Sequence, residues 1–206
     1  MTRGSALMTL VLLSVLPPTR AAANPIIWSG NGHQYSVVSA PALTWDEASS
    51  AVEAMFGTGW YLATITGPQE QSVIDILNLS GIEYWVGGSQ PLLSVPADSG
   101  WAWVTGEPFA FSNWAPGEPN DWFGPASEQH LGIWGTAAGF GSPAPGFPPV
   151  IPRPRGTWND EEAALFQISG YIAEGPAPVP EPASLTLLGL GLAGMGARRW
   201  RQRKRS

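Results

Sequence analysis

The chain has 206 residues, a net charge of −6 and no cysteine, so no disulfide can support it. Eight of its ten Lys and Arg lie at the ends: Arg3 and Arg20 near the start, six between Arg198 and Arg205. The stretch Asn24–Pro180 keeps two cations, Arg153 and Arg155, against fifteen acids, a net of 2 − 15 = −13; that excludes a nucleic-acid binder, whose phosphate contacts need Lys and Arg, and it suits divalent cations as well as solubility.

In chain order, Arg3, the apolar run Ala6–Leu16, Pro17-Pro18 and Ala21-Ala22-Ala23 have the layout of a secretory signal peptide, with cleavage after Ala23. The run is too short to span a bilayer comfortably. Tyr35–Val38 reads as an opening strand. Thr44-Trp45-Asp46-Glu47 is a capping box, and Trp45, Ala48, Ala51, Val52, Met55 and Phe56 follow at helical spacing, so a first helix runs to Phe56. Gly57-Thr58-Gly59 ends it. Trp60–Ile65 is a short extended segment. Thr66-Gly67-Pro68 starts a second helix with the stripe Val73, Ile74, Ile76, Leu77 and Leu79. Glu83–Gly88 and Trp101–Val104 read as strands, Gly106–Asn120 as a loop stiffened by Pro, Gly and aromatics, and Gln129–Gly135 as a further strand. Ala137–Gly156 is a Gly/Pro surface insertion. Ala163–Glu174 is the closing strand and Gly175–Pro180 a linker. Helices early and strands late argue an α+β fold: two helices on short, mostly antiparallel sheets with a long irregular loop. The eleven Trp supply core for one domain.

Two strings carry the chemistry: Glu118-Pro119-Asn120 and Trp158-Asn159-Asp160. Each sets a carboxylate and a side-chain amide within two positions. Such pairs offer hard oxygen ligands of the kind Ca²⁺ takes. Amide nitrogens still donate and carboxylates still accept, which is what a sugar diol needs. The plainer reading is two polar turns. His33 and His130 fit no nucleophile, base and orienter set, and no carboxylate pair stands apart from the metal candidates, so no enzyme is expected.

The order of motifs resembles the C-type lectin-like domain. The resemblance rests on Thr44–Ala48, Leu62-Ala63-Thr64-Ile65, Tyr84-Trp85-Val86-Gly87-Gly88, Trp101-Ala102-Trp103, Asn113–Asn120, Trp158-Asn159-Asp160 and Tyr171–Glu174. It spans about Gln34 to Glu174 within a domain of residues 24–178. It implies Ca²⁺ held by Glu118, Asn120, Glu128, Asn159 and Asp160, the same residues meeting sugar hydroxyls, with a cis peptide before Pro119. Asp121 is the rival to Glu128 as the fifth ligand. Glu-Pro-Asn goes with mannose-type sugars in that family. Val52, Ala173, His130 and Ala163 stand where the family has cysteines, so its disulfides are absent. The runner-up is a matrix or adhesion module on the same scaffold without calcium-dependent sugar recognition.

At the other end, Val179-Pro180-Glu181-Pro182, the apolar Ala183–Ala197 and the Arg-rich tail resemble the PEP-CTERM sorting signal of Gram-negative bacteria, over about residues 179–206. That implies processing by an exosortase, transient anchoring by the short transmembrane segment 183–197, and delivery through the inner membrane to the cell surface or extracellular matrix.

Overall fold

The computed structural model describes residues 21–91, 96–136, 153–163 and 167–178. The expected signal peptide up to residue 20, most of the insertion (137–152) and the sorting tail from 179 onward lie outside them. Residues Met1–Gly175 form one compact unit and Pro176–Ser206 a second.

Two helices and nine strands make up the described part of the chain. Helix α1 (Trp45–Phe56) opens on the expected capping box: the Thr44 hydroxyl accepts the Glu47 N–H at 3.2 Å, and Glu47 Oε2 accepts the Thr44 N–H at 3.0 Å. Helix α2 (Pro68–Ile76) has Pro at its start but Gly67 at its N-cap, so no side chain caps it locally. Its first turn is tied down by Glu70, whose Oε2 accepts both the Thr66 N–H and the Thr66 hydroxyl.

The strands form one sheet, where several short ones were expected. They are β1 (Ala21–Ala22), β2 (Ile26–Trp28), β3 (His33–Ser39), β4 (Tyr61–Leu62), β5 (Glu83–Ser89), β6 (Ala102–Trp103), β7 (His130–Trp134), β8 (Trp158–Glu161) and β9 (Ile168–Pro176). The order is β1-β3-β9-β5-β7-β8, with β2 on β3, β4 on β9 and β6 on β5. β5 runs parallel to β9 but antiparallel to β6 and β7, and β7 is antiparallel to β8.

Three sequence expectations need correction. The opening strand, expected at Tyr35–Val38, runs from His33 to Ser39 and forms a hairpin with β2, a stretch where no element was expected. α2 stops at Ile76, which is 67% exposed, while Leu77 and Leu79 are buried from an extended segment. Trp101 and Val104 fall outside β6, a two-residue strand.

The core lies in two main clusters. In one, Trp45, Ala48, Ala51 and Val52 of α1 join Leu62, Trp85, Tyr171 and Ala173 of the sheet. In the other, Val73 and Ile74 of α2 join Tyr35, Ile65, Leu79, Trp103, Leu131 and Trp158. Val52 and Ala173, at two of the family's cysteine positions, are both fully buried in the first cluster, so apolar packing occupies those places. Trp85, Trp134 and Trp158 are fully buried. Each such indole withdraws about 150–250 Å² from water, an upper bound of roughly 4–6 kcal/mol. The Trp85 and Trp45 N–H groups donate to the Leu43 and Val86 carbonyls, and Trp158 donates to Gln71. His130, at a third cysteine position, packs against Trp45 and Trp85 with its Nδ1 unpartnered. Burial lowers its pKa.

Candidate functional site

The site is built where the long loop after β6 returns to the edge strand β8. Residues 113–115 run alongside that strand: Trp158 N donates to Asn113 O at 2.8 Å, and Ala115 N donates to Trp158 O at 2.9 Å. Trp114 bridges Trp158, and their rings meet edge to face at 5.7 Å. The aromatic packing thus sets the loop's height along β8. A turn closed by Glu118 N to Ala115 O then delivers Glu118-Pro119-Asn120 beside Asp160. The Glu118–Pro119 peptide is cis, as the motif implied.

Asp160 organises this corner. Its carboxylate accepts the Asn120 N–H at 2.9 and 3.0 Å and the Asp121 N–H at 2.8 Å. The Asn120 amide nitrogen donates to Glu118 Oε2, and the Glu118 carboxyl lies within reach of the Asp160 charge. Asn120 Oδ1 is buried without a partner. Just beyond, residues 121–128 close on themselves. The Asp121 carboxylate accepts the N–H groups of Ala126, Ser127 and Glu128, and Glu128 Oε2 accepts the Trp122 N–H at 2.6 Å. Asp121 therefore braces the loop through its own carboxylate.

The electrostatics follow from crowding. Burial, then the neighbouring Asp160 charge, lift Glu118 to about 7. Burial lifts Glu128 to about 8 against the Trp122 N–H, with Asp160, Glu161 and Glu118 adding to the rise. Burial also raises Asp160, opposed by the N–H groups it accepts. Burial and like charges close by both disfavour the ionised form of a carboxyl. Arg153, stacked 4.2 Å from the Trp134 ring centre, acts on Glu118 from a distance and lowers it.

Glu118, Asn120, Asp160 and, through its loop contact, Glu128 are thus assembled in one corner. Asn159 is not bonded to them. Its amide nitrogen donates to Glu83 and Glu161 instead. Those two acids and Gln167 form a polar cluster that motif reading missed. The alternation of β8 puts residues 159 and 161 on one face and was available as a signal; Glu83 and Gln167 join only through strand pairing.

A cleft of about 570 Å³ opens at the corner, lined by Glu118, Asn120 and Asp121 together with Pro96, Asp98 and Pro125. The donor chemistry fits a hard cation: carboxylate oxygens plus a buried amide oxygen lacking a donor. In the geometry present, no group of three or more His, Cys, Asp or Glu among the described residues is arranged to hold a metal ion. The return of the insertion is also firmer than a surface loop. Arg155 donates to the Asp75 and Leu77 carbonyls at the end of α2, and Gly156 is buried, its carbonyl accepting from Gln71 and Asn113.

Comparison with known proteins agrees with this architecture. Residues 178–203 match the PEP-CTERM protein-sorting motif. Over 145 residues the chain is 27% identical to human C-type lectin domain family 10 member A, covering 69% of this chain and 38% of that protein. Over 102 residues it is 30% identical to human C-type lectin domain family 4 member G, covering 48% of this chain and 33% of that one. It spans well under half the length of these curated relatives. Among solved structures, a calcium-independent type II antifreeze protein superposes with a TM-score of 0.50 at 21% identity, over 76% of this chain and 98% of that one. The carbohydrate-recognition domain of the mouse scavenger receptor C-type lectin gives 0.50 at 21%, over 79% and 99%. At these identities the likeness establishes the fold. The chain has the C-type lectin-like fold and carries a PEP-CTERM sorting motif, as the ordered motifs implied. One neighbour being named calcium-independent and another a carbohydrate-recognition domain, the fold alone does not choose the ligand.

Proposed function

We propose that this module of C-type lectin-like fold is an exported carbohydrate binder, non-catalytic, that takes Ca²⁺ at the corner of Glu118, Asn120, Glu128 and Asp160, with Asn159 completing the set. The observation that carries the reading is the buried, unpartnered Oδ1 of Asn120 beside Glu118 and Asp160, two carboxyls whose pKa values burial raises. A buried acceptor without a donor costs about 1–3 kcal/mol, and a cation removes that cost. Bound there, Ca²⁺ would supply coordination for two vicinal hydroxyls. The protein's own part is to accept hydroxyl protons at Glu118 and Asp160, with Asp160 held by the backbone N–H groups of residues 120 and 121 and Glu118 by the Asn120 amide nitrogen. Glu-Pro-Asn points to mannose-type sugars, either free glycans or an exopolysaccharide. Trp122 and Phe123, 62% and 60% exposed beside Asp121, offer apolar faces at the rim.

The sorting motif supports export and cell-surface sorting in a bacterium. We read its basic, apolar tail as an exosortase substrate and transient anchor in a Gram-negative envelope, after a signal peptide ending at Ala23. Among the described residues no helix is long and apolar enough to cross a membrane, and the segment 183–197 lies outside them.

A second reading has its own support. Asn159's nitrogen and both Asp160 oxygens are already engaged inside the protein, as in a scaffold that needs no cation. Two measurements separate the readings. Calcium should raise the melting temperature, and EDTA should reverse it; no shift would sink the cation site. A glycan array should show chelator-sensitive mannose binding, lost in Asn120→Ala and Asn159→Ala with the circular dichroism unchanged. Chelator-insensitive or absent binding would favour the scaffold.

A further inference from the structure

We propose that Glu83 and Glu161 are positioning residues: they hold Asn159 by its amide nitrogen and leave Oδ1 as the atom it presents for ligation. The inference rests on the calcium reading above and adds a part to it.

Four positions converge on the inner side of β8. Asn159 is 5% exposed, Glu161 2% and Glu83 0%. Asn159 Nδ2 donates to Glu161 Oε1 at 2.8 Å and to Glu83 Oε1 at 3.2 Å. Gln167 Nε2 donates to Glu83 Oε2 at 3.1 Å and also to Glu161 Oε1. The register supplies the room. Asn159 faces Gly132 across the β7–β8 pair, and a Cβ at Gly132 would sit 2.1 Å from Glu83 Oε1, so only glycine lets that carboxylate reach across.

The chemistry fixes which end of the Asn159 amide points inward. Both neighbours present acceptors, so the nitrogen must face them; the flipped amide would set oxygen against oxygen. Two acids buried this deeply are costly when their work is only packing. The groups that orient them are Asn159 and Gln167, each donating to both. Outer groups that orient a metal ligand change metal affinity by about 10–100-fold when removed. On this reading Asn159 offers oxygen to a cation and has no N–H to spare for a sugar hydroxyl, so amide donation to the sugar falls to Asn120.

The test is calcium titration calorimetry of the full chain, paired with melting in EDTA. Glu83→Met and Glu161→Met should lower calcium affinity about 10–100-fold without lowering the melting point in EDTA, since each removes a buried acid. Glu83→Gln, which keeps an acceptor, should recover most of the affinity. Wild-type affinity in both Met variants, alongside loss in Asn159→Ala, overturns the positioning role and leaves the calcium site standing. A wild-type chain that binds no calcium overturns both. If the Met variants fail to fold, the side-chain amide resonance of Asn159 in the chelated wild-type chain decides: slow hydrogen exchange supports the hold, and free-amide exchange overturns it.

Discussion

Asp121, the rival to Glu128 as fifth ligand, is a carboxylate already occupied by the backbone of its own loop. It sits beside Glu-Pro-Asn, yet its two oxygens accept three backbone N–H groups from residues 126–128. Its own backbone has a φ of 47°, a conformation Asp tolerates better than most residues. Removing the carboxylate leaves those donors to solvent or to nothing. Asp121→Ala should therefore cost about 1–3 kcal/mol in urea denaturation with EDTA present. Calcium affinity should fall only as far as the loop loosens. The opposite pattern, an unchanged EDTA-state stability with calcium binding abolished, would make Asp121 the ligand. Glu128 has the complementary position: its carboxylate takes a single N–H, from Trp122, and keeps capacity for a cation.

The two helices differ in what holds them, and the difference tracks what sequence could disclose. α1 carries its own start signal in Thr44 and Glu47, three residues apart in the chain, and its apolar spacing survives folding intact. α2 does not. Its N-terminus is tied by Glu70, which also accepts the Tyr35 hydroxyl at 2.5 Å from β3, and its C-terminus is capped by Arg155 from 78 to 80 residues away. Leu77 and Leu79 look helical because four apolar residues in close succession suit either period. The Leu79 carbonyl instead accepts from Thr136, which pulls the segment straight. Likewise Glu118, Asn120 and Asp160 were legible as short motifs, whereas Glu83 meets Asn159 and Gln167 only because β5 lies between β7 and β9. Arg155→Ala should destabilise the chain by about 1–2 kcal/mol, since hydrogen bonds from a charged donor are lost at a partly exposed helix end. Arg155→Lys should restore little, because one ammonium cannot match the guanidinium fork across two carbonyls. Equal stability of Arg155→Lys and the wild-type chain would refute that account of the cap.

At the scale of the molecule, fifteen acids and two arginines have to coexist in residues 24–180, and the acids are not spread evenly. Burial first, then mutual repulsion, raise Glu118 to about 7, and burial raises Glu128 to about 8. Burial raises Asp160 too, and it raises Glu83 and Glu161. A carboxyl whose folded pKa is raised contributes stability that is fully present below its unfolded value, about 4, and is lost as pH climbs through the folded one. Buried His130 works in the opposite sense. Its lowered pKa gives stability that is present above about 6.5 and lost as pH falls below it. Several raised acids oppose one imidazole, so in EDTA the melting temperature should rise on going from pH 8 to pH 6. With saturating calcium the slope should flatten or reverse, because the cation takes the place of the protons and acid competes with it. A chelated chain that melts lower at pH 6 than at pH 8 would mean that these carboxyls are ionised in the fold. The crowding at Glu118 and Asp160 would then need no counter-cation, and the module would stand as a scaffold rather than a calcium site.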